Sequence, residues 1–185
     1  MKKNYLLSAI LMVALIGSGG CATRSAEGPG GPGMIVHFGN ALKGRSVQFR
    51  SARTSNAIPF PNPGGLSPSS KPLEQGAVMG AAPDGRELPE WIDFTWVEAE
   101  YGSTAPFVLE EHRKLPIKSG RVLIRQRIPA DVVAEVLASH RGQAANGRKD
   151  LRLWVFLIWR EDKIAMRWNL EQGCCDVLRS GGDDI

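Results

Sequence analysis

The segment Gly39-Asn40-Ala41-Leu42-Lys43-Gly44-Arg45-Ser46 has the spacing of a phosphate-cradling G-x-x-x-x-G-K-[ST] loop, in which backbone N–H groups hold an anion and a lysine reaches the terminal phosphates. Arg45 stands in place of that lysine, and the residues beyond it pattern as a strand rather than a helix, so nucleotide chemistry is not expected here. The serines of Leu66-Ser67-Pro68-Ser69-Ser70 have no neighbouring base and no G-x-S-x-G elbow, which argues against a serine hydrolase. His37, His112 and His140 are dispersed, and none stands at ligand spacing to another His, Cys or carboxylate, so no metal or other cofactor is expected. Glu87, Glu90, Asp93, Glu98 and Glu100 could in principle supply the two carboxylates of a glycosidase, yet acids on strands and loops are ordinarily solvated. Cys174 and Cys175 are adjacent, with Cα atoms about 3.8 Å apart where an ordinary disulfide needs roughly 4.4–6.8 Å. A bond between them would be strained and easily reduced. They read either as a redox pair or as two small residues at the end of the fold.

Cys21 carries a sharper signal. Lys2 and Lys3 precede an apolar stretch from Tyr5 to Ile16, and Gly17-Ser18-Gly19-Gly20 then lead into the cysteine, the order of a signal peptide over 1–20. About 12 apolar residues at 1.5 Å each cover roughly 18 Å, short of the ~30 Å core that a lasting transmembrane helix must cross. The exit resembles a bacterial lipobox, with Ser18 where leucine is usual. That resemblance implies lipidation of Cys21, palmitate among the attached chains, and a lipoprotein held in the membrane; the alternative is an ordinary secretory signal cut nearby. Ala22 is not the aspartate that retains such proteins at the inner membrane, so the outer membrane, with the body facing the periplasm, is the expected location. Without Lys2 and Lys3 the balance falls from +4 to 21 basic minus 19 acidic residues, or +2, too small a charge for a nucleic-acid footprint.

The elements that must position these groups are unevenly distributed. Residues 22–89 hold 11 Gly and 9 Pro in 68 positions, whereas residues 90–170 hold 4 Gly and 3 Pro in 81 and all five tryptophans. The first part therefore reads as a flexible tether over 21–45, with Thr23 to Gly33 as its leash, then a strand at 46–54 and a long loop over 55–87. In that first strand Val47, Phe49 and Ser51 are expected to share a face. Ile92, Phe94 and Trp96 face one way from a second strand, with Asp93, Thr95 and Val97 opposite. Arg121 to Ile128 reads as a third strand. Pro129, the stripe Val132, Val133, Val136 and Leu137, and the exit His140-Arg141-Gly142 specify a helix over about 129–141. Leu151 to Trp159 is apolar on both faces, like a central strand, and turns through Arg160 to Lys163 into a hairpin ending near Leu170. The expected fold is α+β: one globular domain over 46–170, mainly antiparallel sheet with one packed helix, and a loose tail over 171–185.

Residues 84–111 carry eight acids against Arg86, a balance of −7, while residues 112–152 carry ten Lys/Arg against three acids, or +7. Cross-strand pairing of Asp93 with Arg125 or Arg127 would absorb part of this asymmetry. An exposed Trp91 or Trp96 is the candidate partner anchor.

The segments Arg53 to Pro61, Arg86 to Trp96, Leu153-Trp154-Val155-Phe156 and Met166-Arg167-Trp168 together resemble a family of uncharacterised proteobacterial lipoproteins, over roughly Ser46 to Leu170. These motifs are structural rather than catalytic. Several members look like immunity proteins encoded beside type VI secretion phospholipase effectors. The resemblance implies a lipid-anchored, non-enzymatic binding protein with a secreted lipase effector as partner. The alternative is a structural or housekeeping envelope lipoprotein that binds peptidoglycan or another envelope component.

Overall fold

The computed structural model describes residues 31–57, 59–81, 87–102, 114–142, 150–173 and 176–185. Their strands form two sheets. The first, in the order β4-β1-β7-β8-β9, contains β1 (Met34–Asn40), β4 (Ala77–Ala81), β7 (Leu151–Trp159), β8 (Ile164–Gln172) and β9 (Asp176–Gly182). The second, in the order β3-β2-β5-β6, contains β2 (Arg45–Thr54), β3 (Gly65–Leu66), β5 (Trp91–Glu100) and β6 (Lys118–Leu123). A helix, α1 (Ala130–His140), packs against β7, so the α+β fold holds. All pairings are antiparallel except β1 with β7, whose parallel register runs from Ile35↔Trp154 to Asn40↔Trp159.

Alternation puts Phe38, Val155, Leu157 and Trp159 of the first sheet, and Val47, Ile92, Phe94 and Trp96 of the second, into one buried core. Edge-to-face contacts of Trp159 with Phe49, Phe94 and Trp96 join the sheets. Such aromatic pairs contribute about 0.5–1.5 kcal/mol each beyond the area they bury. The helix adds Val132, Val133 and Val136 to the same core, as its stripe predicts, and ends where the Gly142 N–H bonds the Ser139 carbonyl. Gly142 takes the left-handed conformation there, with φ +67°. The expected hairpin is closed by the Arg160 N–H on the Lys163 carbonyl.

Four expectations are corrected. The tether over 21–45 contains β1, an inner strand with neighbours on both sides, because Met34, Val36 and Phe38 alternate inward within Gly/Pro-rich surroundings. The loop over 55–87 contains β3 and β4, which pair with β2 and β1. The strand expected over 121–128 spans 118–123 instead. Beyond it the chain turns through a 3-10 segment, Arg125–Arg127, which buries Ile124 and Ile128 while redirecting the backbone into the helix. The tail is not loose: β9 pairs with β8, and the Asp183 carboxylate accepts from Arg127 Nη2 (2.8 Å) and from the Met166 N–H (2.9 Å). A smaller correction concerns Ser51. A bulge at Arg50 turns it outward and places Ala52 in the core.

Candidate functional site

The outward surface of the second sheet carries a group of aromatic and charged side chains on paired strands. The alternation that buries Ile92, Phe94 and Trp96 leaves Trp91, Asp93 and Thr95 on the opposite side. Register then decides their neighbours. Trp91 lies across from Leu123, Asp93 lies between Arg53 and Arg121, and Thr95 lies between Ser51 and Ser119. Arg121 donates to both Asp93 oxygens, from Nε at 2.6 Å and from Nη2 at 2.8 Å, while its guanidinium carbon sits 3.8 Å from the Trp91 ring centroid. The planar fork therefore serves a carboxylate at its edge and an indole on its face, and each contact fixes the other. The Arg121 hydrogen bonds hold the Asp93 carboxyl below the usual carboxylate range, and the same pairing raises Arg121. Ser51 and Thr95 share a 2.7 Å hydrogen bond. Leu123, 41% exposed and across from Trp91, extends the apolar part of this surface.

Of the two tryptophans that sequence nominates as anchors, Trp91 is half-buried on this surface and Trp96 is a core residue. Asp93 pairs with Arg121 rather than with Arg125 or Arg127. Arg127 binds Asp183, and Arg125 has no ion-pair partner among the described residues.

The other candidate chemistry is absorbed by the fold. Glu98 is paired with Arg45 and with Lys118 (2.8 Å), and it accepts from Trp96 Nε1 (3.2 Å). Arg45 also bridges to Glu161 on the opposite sheet's hairpin, and that bond lowers Glu161 while raising Arg45. Arg179 likewise lowers Asp131, in the first turn of α1. Carboxylates shifted in this direction stay ionised at neutral pH, opposite to the upward shift a general acid needs. The phosphate-loop look-alike is a strand, a turn and a strand. Its Gly39 packs against the Pro72 carbonyl, and its Asn40 joins three segments through Nδ2 to the Arg45 (2.8 Å) and Leu66 (3.2 Å) carbonyls and Oδ1 from the Leu42 N–H (3.0 Å). His37 donates to the Pro72 carbonyl at 2.8 Å and His140 to the Leu151 carbonyl at 3.2 Å, so each tethers backbone. Ser69 bonds Gln75 and the Lys71 N–H within its own loop.

The lipidation candidate Cys21, the possible redox pair Cys174 and Cys175, and His112 lie outside the described residues. Among the described residues no three His, Cys, Asp or Glu side chains converge as metal ligands, and no helix is long and apolar enough to cross a membrane. Sequence missed the Arg121 stack and the Asp183 clamp. The only signal for the first was that Arg121 precedes an apolar alternation as Trp91 does. No protein-family model, curated protein or solved structure matches the chain.

Proposed function

We propose that this is a lipid-anchored, periplasm-facing lipoprotein that acts by binding a protein partner rather than by turnover, and that the partner is a secreted lipase effector which it neutralises. The observation that carries the reading is the preset Trp91, Arg121 and Asp93 arrangement beside exposed Leu123. Tryptophan and arginine dominate interface energetics, and an arginine already held by its own carboxylate loses little freedom on docking. Arg53 and Arg125 flank the same surface, so a complementary partner presents an apolar pocket rimmed by carboxylates. Support for the anchor comes from the leader and Cys21; support for the lipase partner comes from the family resemblance.

The test is capture and growth rescue with the lipase encoded beside the gene, in parent, Trp91→Ala and Leu123→Glu forms. Trp91→Ala is expected to weaken capture about 30-fold, the equivalent of ~2 kcal/mol at a central anchor. Binding and protection that survive both substitutions would overturn the assignment of this surface; neither binding nor protection by the parent would overturn the immunity reading. Palmitate labelling of parent against Cys21→Ser tests the anchor separately, and equal labelling would remove it.

A further inference from the structure

A recess of about 550 Å³ opens where the first residues of β1 and β7 meet β4 and the end of α1. Its walls include Ile35, Val78, Leu153 and Trp154, with His140 and Arg152 as the side chains able to carry charge. The cavity has a simple origin. Gly80, Ile35 and Trp154 are successive cross-strand partners in one row, and a Cβ built on Gly80 meets nothing within 4 Å. The row thus has two bulky side chains and a vacancy at its edge.

From this arrangement we infer that the recess binds one long-chain fatty acid, its hydrocarbon against Ile35, Val78 and Trp154 and its carboxylate on Arg152. The volume lies within the range of small-molecule sites, and the exposed lining is mostly apolar. Charge selects the headgroup. Arg152 has no ion-pair partner among the described residues, and its cross-strand neighbour Glu171 accepts from Asn169 Nδ2 at 3.2 Å. The described residues that line the recess include no carboxylate; Glu171 stands across from Arg152 on β8, outside that lining. Pro32 and Gly33 form part of the wall, and Pro32 follows Cys21 by 11 residues, so a lipid attached at Cys21 would lie no more than about 40 Å from this opening, the fully extended reach of that many residues. That proximity rests on the anchor reading; the binding itself does not.

The full chain carrying Cys21→Ser, which needs no detergent, is titrated with cis-parinaric acid, and the probe is then competed with palmitate, methyl palmitate and phosphatidylcholine vesicles. Saturable binding of one probe per chain is expected, displaced by palmitate and not by vesicles. Gly80→Phe fills the vacancy and is expected to lower affinity at least tenfold with the melting temperature and circular dichroism of the parent. Arg152→Gln is expected to weaken palmitate five- to tenfold and leave methyl palmitate unchanged. Absence of saturable binding, or parental affinity in folded Gly80→Phe, would overturn the site; equal loss of acid and ester in Arg152→Gln would overturn the carboxylate contact. Because the tested chain lacks the lipid, a positive result stands even where palmitate labelling of Cys21 fails.

Discussion

Replacing Asp183 by alanine should loosen the last strand and destabilise the whole fold by about 2 kcal/mol. Its carboxylate takes two bonds from Arg127 (2.8 and 3.3 Å), one from the Met166 N–H, and lies 3.5 Å from Lys163. Charge-assisted bonds of this kind contribute ~1.5–3 kcal/mol each when shielded, whereas exposed ion pairs contribute about 0–1. With side-chain exposures of 21% for Asp183 and 28% for Arg127, the site falls between those limits. The substitution also strands the Met166 N–H and leaves Arg127 without its counter-charge, although the Asp183 N–H to Met166 carbonyl bond (2.8 Å) survives. A loss of ~2 kcal/mol corresponds to a melting temperature lower by about 4–8 °C for a domain of this size. Native-state hydrogen exchange should place the new opening in β9, with amides of Val177 to Gly181 exchanging faster than those of β7. Asp183→Asn should lose about half as much, since it retains an acceptor for Met166, and Asp184→Asn nearly nothing. A change under ~0.5 kcal/mol with unaltered exchange in β9 would refute the clamp.

Acid should act through the same kind of contact. Asp93, Asp131 and Glu161 are lowered by arginine hydrogen bonds, and Asp183 is lowered by Arg127 and the Met166 N–H although burial pushes it up. Their stabilising contribution is therefore complete above the ordinary carboxylate range, near pH 4, and is lost as pH falls through the depressed folded values; stability by urea titration that stays flat from pH 5 to pH 2 would contradict this. Asn40→Asp, one atom different, turns a donor facing the Arg45 and Leu66 carbonyls into an acceptor and should cost about 3 kcal/mol or more, read as a lower urea midpoint at unchanged slope. Gly39→Ala drives a Cβ to 2.2 Å from the Pro72 carbonyl and should cost ~1–3 kcal/mol, whereas Gly80→Ala, with open space at its Cβ, should stay within ~0.5 kcal/mol; equal melting temperatures for the two would contradict the packing of the 67–76 loop.

The parts of the fold legible in sequence are those where one residue pattern suffices. The helix has its own stripe and glycine exit, the strand at Leu151–Trp159 is apolar throughout, and the next strand follows it across a short polar turn. The missed strands take their stability from neighbours instead. β1 is seven residues long among glycines and prolines, and its place between β4 and β7 depends on partners far along the chain. β9 reads Asp-Val-Leu-Arg-Ser-Gly-Gly with mostly exposed side chains; pairing with β8 and the Asp183 clamp hold it, and neither leaves a periodic trace. The same distinction applies to the candidate surface. That Trp91 and Asp93 share a side follows from alternation, but that Arg121 rather than Arg125, four residues on, meets them is a matter of register.

Chain direction sets which strand ends carry the two candidate sites. Asn40 binds the Arg45 carbonyl, so β2 begins where β1 ends and runs back toward the level of Met34. Thr54, at the far end of β2, pairs with Ile92, and the Ser55 N–H bonds the Trp91 carbonyl. Trp91 thus lies at the end of β5 away from Glu98 and Glu100, and the recess at Ile35 and Trp154 lies toward the ends of β1 and β7 away from Asn40 and Trp159. The Glu98, Arg45 and Glu161 ion pairs occupy the opposite end, where they tie the two sheets together. If Cys21 is acylated as proposed, the lipid joins the chain upstream of Met34, where β1 enters the fold beside the recess.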